Sequence, residues 1–210
     1  DVAWYGILIG FGFLLATLIS YKRAPKHGIN PDFILDLILW MIPAAIIGAR
    51  AYYVIFQWDY YAGDWTKIFD VRGGGLAIHG GLILCFLVGY FVCRRHKESF
   101  LATADVAAVV IPLAQAIGRW GNFFNEEAHG MQTDLPWAQI IDGVGYHPTF
   151  LYESIWCFAL FWFLLWFDNR HRSFNGQIIC LYMILYSVER FFVEGLRTDS
   201  LMFGPLRQAQ

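Results

Sequence analysis

Between Val2 and Ser20 the chain runs 19 residues without one Asp, Glu, Lys, Arg or His. A helix rising 1.5 Å per residue needs about that length to cross a hydrocarbon core roughly 30 Å thick. A cleaved signal peptide would need a basic segment before the apolar run and a small-residue cleavage site after it. Here nothing basic precedes, and Tyr21, Lys22 and Arg23 follow. The apolar pattern then recurs. Candidate helices fall at about 2–20, 33–55, 76–93, 103–117, 149–167 and 177–193. With 58% hydrophobic and only 15% charged residues, the chain has the balance of a membrane protein and not of a soluble domain. The expectation is an all-α integral membrane protein, a polytopic helical bundle with six spans. No internal repeat or low-complexity linker divides it, so residues 1–210 form a single transmembrane domain with a polar extramembrane segment at about 119–147.

Loop charge orients the spans. Lys22, Arg23 and Lys26 follow the first; Arg94, Arg95 and Lys97 follow the third; Arg170 and Arg172 follow the fifth. The other loops carry Asp59, Asp64, Lys67, Asp70 and Arg72, then Arg119, Glu126, Glu127, Asp134 and Asp142. The positive-inside rule makes the first set cytoplasmic, with the N-terminus and the second set outside. Trp4, Tyr5, Trp58, Tyr60, Tyr61 and Trp65 fit an outer aromatic belt. The net charge of −2 says nothing about partners, but the sequence holds no basic patch large enough for nucleic acid, and no nucleic-acid partner is expected. Cys85, Cys93, Cys157 and Cys180 lie in or beside apolar runs at spacings that match no metal site or disulfide framework.

A charge inside a bilayer costs at least about 2.5–3.5 kcal/mol and so needs a partner, a cavity or a function. Asp36, after Asn30-Pro31-Asp32, and Asp105, after Thr103, sit near helix starts, where capping or interhelical bonding accounts for them. Arg50 is open to two readings, snorkelling to the interface or a place in a site. His79 lies in RGGGLAIHGGL, Arg72 to Leu82, among five glycines. Imidazole there can accept a proton near neutral pH, and the bland alternative is a satisfied core histidine.

The densest polar stretch is IGRWGNFFNEEAHG, Ile117 to Gly130. On a continued helix Arg119, Asn122 and Glu126 fall at i, i+3 and i+7 and share a face. Either this is a solvated helix end, or a half-dehydrated arginine with flanking amides holds a phosphate through its planar fork. In YSVERFFVEGLRTD, Tyr186, Arg190 and Glu194 likewise share a face: a local Arg190–Glu194 pair, or a second anion contact. Two arginines and a histidine from separate helices suit an anionic, phosphorylated lipid. HPTFLYES, His147 to Ser154, reads as a helix entry whose polar edge (His147, Tyr152, Glu153) lines the same cavity.

On these motifs the chain resembles the bacterial phosphatidylglycerol–prolipoprotein diacylglyceryl transferases. The matching pieces are WYGILIG, GGLAIHGGL, GRWGNFFNEEAHG, HPTFLYES and ERFFVEGLRTDSLMFGPLR, in the family's order. The resemblance implies transfer of the diacylglyceryl group of phosphatidylglycerol to the lipobox cysteine thiol in the signal peptide of a prolipoprotein. The products are a thioether and glycerol 1-phosphate. It implies no metal or organic cofactor, an inner-membrane location among membrane lipids, and an active site facing the extracytoplasmic side. It implies chemistry at His79, Arg119, Tyr186 and Arg190, and substrate binding at Tyr5, Asn122, Glu127, Gly130, Glu194 and Arg197. A seventh span is expected after the GPLR motif, so the abrupt end at Gln210 suggests a truncated or partial chain. The stretch from Met131 to Gly145 is short for the family. A transporter for an anionic solute or lipid is the alternative, and a non-catalytic assembly protein a further one.

Overall fold

The computed structural model describes residues 4–63, 65–70 and 74–197, with the backbone of 202–203 and 206–207. Asp64 and Arg72, counted above among the outer charges, and the C-terminal motif's Thr198 to Leu201, Gly204 and Pro205 lie outside the described residues. In chain order the elements begin with α1 (Trp4–Arg23), a 3-10 turn (Ala24–His27) and α2 (Pro31–Phe56). Two single-turn helices follow, α3 (Trp58–Tyr61) and α4 (Thr66–Phe69), then α5 (Ile78–His96) and α6 (Phe100–Phe124). A small hairpin, β1 (Gln139–Ile141) with β2 (Val144–Tyr146), precedes α7 (Thr149–Arg170) and α8 (Gln177–Leu196). Last come β3 (Met202–Phe203) and β4 (Leu206–Arg207), paired antiparallel.

Among the described residues five helices are long and apolar enough to cross a membrane: α1 with its 3-10 turn, α2, α5, α6 and α7. The sixth, α8, has the length at 20 residues but carries Glu189, Arg190 and Glu194. Both glutamates are buried and Arg190 is ion-paired, so these charges face protein and α8 reads as the sixth crossing. Basic residues close α1, α5 and α7 but not α2, α6 or α8. That alternation is the one the loop charges predicted. The largest departure from the expected boundaries is at α6, which runs on to Phe124 instead of ending near 117. The GRWGNFF residues therefore start the polar segment as helix.

The chain divides into two compact units, residues 1–23 with 104–210, and residues 24–103. In the first, Ala108, Val109 and Leu113 of α6 pack on Leu160, Phe161 and Leu164 of α7 and Ile178 of α8. Asp105, fully buried, accepts hydrogen bonds from the backbone N–H groups of Gly176 (2.7 Å) and Ile179 (3.0 Å). It thus caps α8 from another helix, 71 residues away in sequence, meeting donors that a helix start leaves unpaired. At the C-terminal end of α7, Asp168 takes Arg23 of α1 and Arg172.

In the second unit α2 and α5 cross backbone to backbone. A β-carbon on Gly48 or Gly80 would run into the other residue's carbonyl, so glycine is required on both sides. The Ala77 N–H donates to Ala49 O at 3.0 Å across the same crossing. Arg50 is resolved here. Its Nε donates to Ile68 O (2.8 Å), its Nη1 to Gly74 O (2.8 Å) and Gly75 O (2.9 Å), and its Nη2 to Lys67 O (2.5 Å). It does not snorkel: at 7% exposure it ties the backbone of Lys67, Ile68, Gly74 and Gly75 to α2.

Asp105→Ala should lower stability by about 1–2 kcal/mol, the usual cost of a lost helix cap. Asp105→Asn, which keeps one acceptor oxygen, should lose less. Thermal unfolding in detergent micelles orders the two.

Candidate active site

Glu153 sits in the first turns of α7 at 2% exposure. Its Oε2 pairs with Arg119 Nε from α6, and its Oε1 accepts from Arg190 Nη1 of α8 at 2.6 Å. Arg190 Nη2 pairs with Glu194 one turn further on. One buried carboxylate therefore holds two guanidinium groups from two other helices. The local Arg190–Glu194 pair exists, but it is only half of that arginine's bonding. For Arg119, Glu153 occupies Nε alone. Among the described residues nothing bonds its two Nη groups, and its side chain is 22% exposed. The fork remains open.

Around this pair stand groups with bonding capacity to spare. Tyr186 lies within electrostatic reach of Arg119, Glu153 and Arg190, and its ring stacks on Tyr182 with centroids 5.6 Å apart. No described residue bonds its hydroxyl. Glu189, next to Arg190, is buried, and neither carboxyl oxygen has a hydrogen-bond partner among the described residues. Trp120 Nε1 donates to Ser154 Oγ (3.2 Å), which donates to Ala116 O (2.9 Å), fixing α6 against α7 one residue from the ion pair. Among the described residues no group of three or more His, Cys, Asp or Glu is arranged to hold a metal ion.

The expected i, i+3, i+7 face is overturned at its last member. Helix α6 stops at Phe124, and Glu126 has φ 52°, a left-handed turn. The turn removes Glu126 from the face and brings Glu127 back. Asn122 Nδ2 donates to Glu127 Oε1 at 3.3 Å, and Asn125 Nδ2 does so at 3.4 Å. Tyr5 rests its ring on Gly121, where a β-carbon would collide with it. Gly130 is pinched between His147 and the end of α8. Its N–H donates to His147 O (2.9 Å), Met131 N–H donates to Leu196 O (2.8 Å), and Gly130 bridges to Arg197. A β-carbon at Gly130 would lie 2.7 Å from that of His147. The backbone approach thus demands glycine there.

The first unit brings together Arg119, Tyr186, Arg190 and Glu194, and holds Tyr5, Asn122, Glu127, Gly130 and Arg197. His79 belongs to the second unit, in the first turn of α5, exposed, with its ring 6.3 Å from that of Tyr52. The residue most undervalued by sequence reasoning is Glu153. Its signal was an acid one turn inside an otherwise apolar span.

Residues 1–210 match the model of the family described as prolipoprotein diacylglyceryl transferase. The chain belongs to the prolipoprotein diacylglyceryl transferase family. It is 55% identical over 210 residues to a phosphatidylglycerol–prolipoprotein diacylglyceryl transferase of Clostridioides difficile (strain 630), covering all of this chain and 84% of that one. It is 52% identical to one from Finegoldia magna over 210 residues, all of this chain and 85% of that one. A Gloeobacter violaceus relative bearing the same name is 47% identical over 221 residues, matching all of this chain and 82% of its own length. In this diacylglyceryl transferase family member the open arginine fork therefore lies within a matched region.

Removing Glu153 leaves Arg119 unpaired and Arg190 with Glu194 alone. Glu153→Ala should destabilise the protein by about 3–5 kcal/mol, and adding Arg119→Met should recover part of the loss by removing the stranded charge. Reversible unfolding in micelles measures both.

Proposed function

We propose that this chain transfers the diacylglyceryl group from phosphatidylglycerol to a prolipoprotein, forming a thioether with the lipobox cysteine of its signal peptide and releasing glycerol 1-phosphate. The observation that carries the reading is the open fork of Arg119, oriented by a buried carboxylate that also holds Arg190.

The reaction exchanges a carbon–oxygen bond for a carbon–sulfur bond. The cysteine sulfur attacks the diacylglyceryl carbon that bears the phosphate oxygen. That oxygen leaves with the bonding pair, so negative charge grows on the phosphate. Arginines that hold it stabilise the charge as it develops. Arg119 offers unoccupied N–H groups for this, and Arg190 adds its positive field and, with Tyr186, a further donor. Asn122, tied to Glu127, and Tyr5 position the head group. Gly130 and Arg197 keep the 128–131 turn against α8, while Glu194 sets the rotamer of Arg190. The thiol reacts as thiolate, whose pKa is near 8.5 when free, and so needs a base. His79 is assigned as that base, and the thiol proton passes to its ring.

The whole chain acts as one transmembrane catalytic domain in the bacterial inner membrane. Basic ends of α1, α5 and α7 face the cytoplasm, and the 119–147 segment faces the extracytoplasmic side. A transporter reading has less support, because Arg119 and Arg190 gather with Glu153 and Glu194 at one end of α6, α7 and α8 and the sequence shows no inverted repeat.

Purified protein incubated with phosphatidylglycerol and a lipobox peptide should yield the thioether and glycerol phosphate; no product would defeat the reading. Arg119→Ala and Arg190→Ala should each cut turnover by about 10²–10³-fold, as loss of a transition-state donor does, in protein that still folds. Near-normal turnover in His79→Gln would remove the base assignment. Glu127→Gln should reduce transfer more than Glu126→Gln.

A further inference from the structure

Glu189 of α8 is 4% exposed, and neither of its carboxyl oxygens has a hydrogen-bond partner among the described residues. A buried polar group left unbonded has given up water and gained nothing in return. Elsewhere in this unit the buried acids Asp105, Glu153 and Glu194 are each bonded. Against that background an open, buried carboxyl points to a ligand.

Two polar layers surround it. Arg119, Glu153 and Arg190 form the ion-paired one. One to two helical turns along the same helices, Gln115, Cys157 and Tyr182 form another, in which Gln115 Oε1 accepts from the Tyr182 hydroxyl at 3.2 Å and lies 4.0 Å from Cys157 Sγ. Glu189 is within electrostatic reach of Glu153, Arg190 and Arg119 in the first layer and of Cys157 in the second. Tyr186, three residues earlier on α8 and so on an adjoining face, is within reach of the same four groups. A carboxyl and a phenol, both open, thus lie where the two layers meet. Arg119 and Arg190 keep 22% and 19% of their side chains exposed, so a ligand that reaches the arginines arrives beside them.

The open groups are of opposite kinds. Arg119 offers N–H donors, which suit a phosphate. Charged or neutral, the Glu189 carboxyl offers acceptor oxygens, which suit hydroxyl hydrogens, and the Tyr186 hydroxyl serves either way. A phosphate ester of glycerol presents both demands in one small group, an anion and two hydroxyls on successive carbons. A phosphate ester of a plain alcohol presents only the first.

We propose that Glu189 is a specificity-determining residue of the transfer site: its carboxyl, together with the Tyr186 hydroxyl, bonds the two hydroxyls of the head-group glycerol while the open fork of Arg119 holds the phosphate. The inference rests on the transfer reading above and adds the means by which a glycerol head is told from other phosphate esters. A head without hydroxyls leaves Glu189 unbonded in the bundle, and an unpaired buried polar group is what gives such a site its discrimination. The hydroxyls take no part in the bond exchange, so the contact serves binding and not the chemical step.

The test compares thioether formation on a lipobox peptide from phosphatidylglycerol and from phosphatidylpropanol, the same lipid with a bare propyl head, using the purified full chain in mixed micelles. The unaltered chain should favour phosphatidylglycerol by about tenfold or more in kcat/KM, as loss of a hydrogen bond to a buried polar group does. Glu189→Leu should raise the apparent KM for phosphatidylglycerol by about that factor, with kcat and the use of phosphatidylpropanol little changed. Replacing an unbonded buried acid by leucine should hold or raise the melting temperature, which separates lost preference from lost folding. Glu189→Gln, which keeps an acceptor oxygen, should retain part of the preference. Equal loss with both lipids, a fall in kcat alone, or an unaltered chain that does not distinguish the two would overturn the proposal. A preference for phosphatidylethanolamine over phosphatidylglycerol would assign the carboxyl to an ammonium and overturn it too. If the unaltered chain forms no thioether from either lipid, the transfer reading falls. Head-group selection is then read from retention of the two lipids in nanodiscs, where Glu189→Leu should equalise them and an unchanged preference would overturn the assignment.

Discussion

One carboxylate organises the first of the two units. Glu153 is nearly sealed from solvent and bonds two guanidinium groups that arrive from α6 and α8. Without it two like charges would stand together in a low-dielectric bundle, where an unpaired ion costs several kcal/mol. The C-terminal parts of α6 and α8 and the start of α7 are thereby held to one point. The neighbouring bonds follow from that convergence: Trp120 to Ser154, Ser154 to Ala116, and Thr149 Oγ1 to Ala128 O at 2.5 Å. By using Nε of Arg119 and leaving Nη1 and Nη2, Glu153 also decides which face of the arginine is free.

The same accounting separates structural from available charges elsewhere. Arg23 gives itself to Asp168 and Asn169. Asp105 caps α8, and Arg50 satisfies loop carbonyls. Each of these is consumed within the fold. Among the described residues the two Nη groups of Arg119 and the hydroxyls of Tyr186 and Tyr61 are not, and capacity left open is what a ligand can use. Burial alone would have ranked these groups quite differently, since Asp105 is the most buried of them.

Much of the architecture was legible because bilayer crossing is a local demand. A run such as Val2 to Ser20 announces its helix without reference to any other segment, and the loop lysines and arginines carry the alternation of ends. Partnerships were less legible. Nothing near Asp105 says that its partners are Gly176 and Ile179, and Arg50 could not be assigned until the carbonyls of Lys67, Ile68, Gly74 and Gly75 were seen around it. Glu153 looked like an edge residue because both its cations lie far away in sequence. The misplacement of Glu126 has another cause. Helical spacing was extended past Phe124, but the left-handed turn at Glu126 resets the phase, and Asn122 meets Glu127 instead.

The charge balance of the cluster bears on turnover. Arg119 and Arg190 are matched by Glu153 and Glu194, so the pair of arginines is not a strongly positive trap. A phosphodiester substrate carries one negative charge, whereas the departing glycerol phosphate approaches two. A bare pair of arginines would bind that product more tightly than the substrate and slow its release. With carboxylates already in place, what the site offers is directional N–H groups and not net charge. Those groups favour charge at the position where the leaving oxygen develops it. Glu194, half of the local pair that looked merely structural, is on this reading part of what lets the product go.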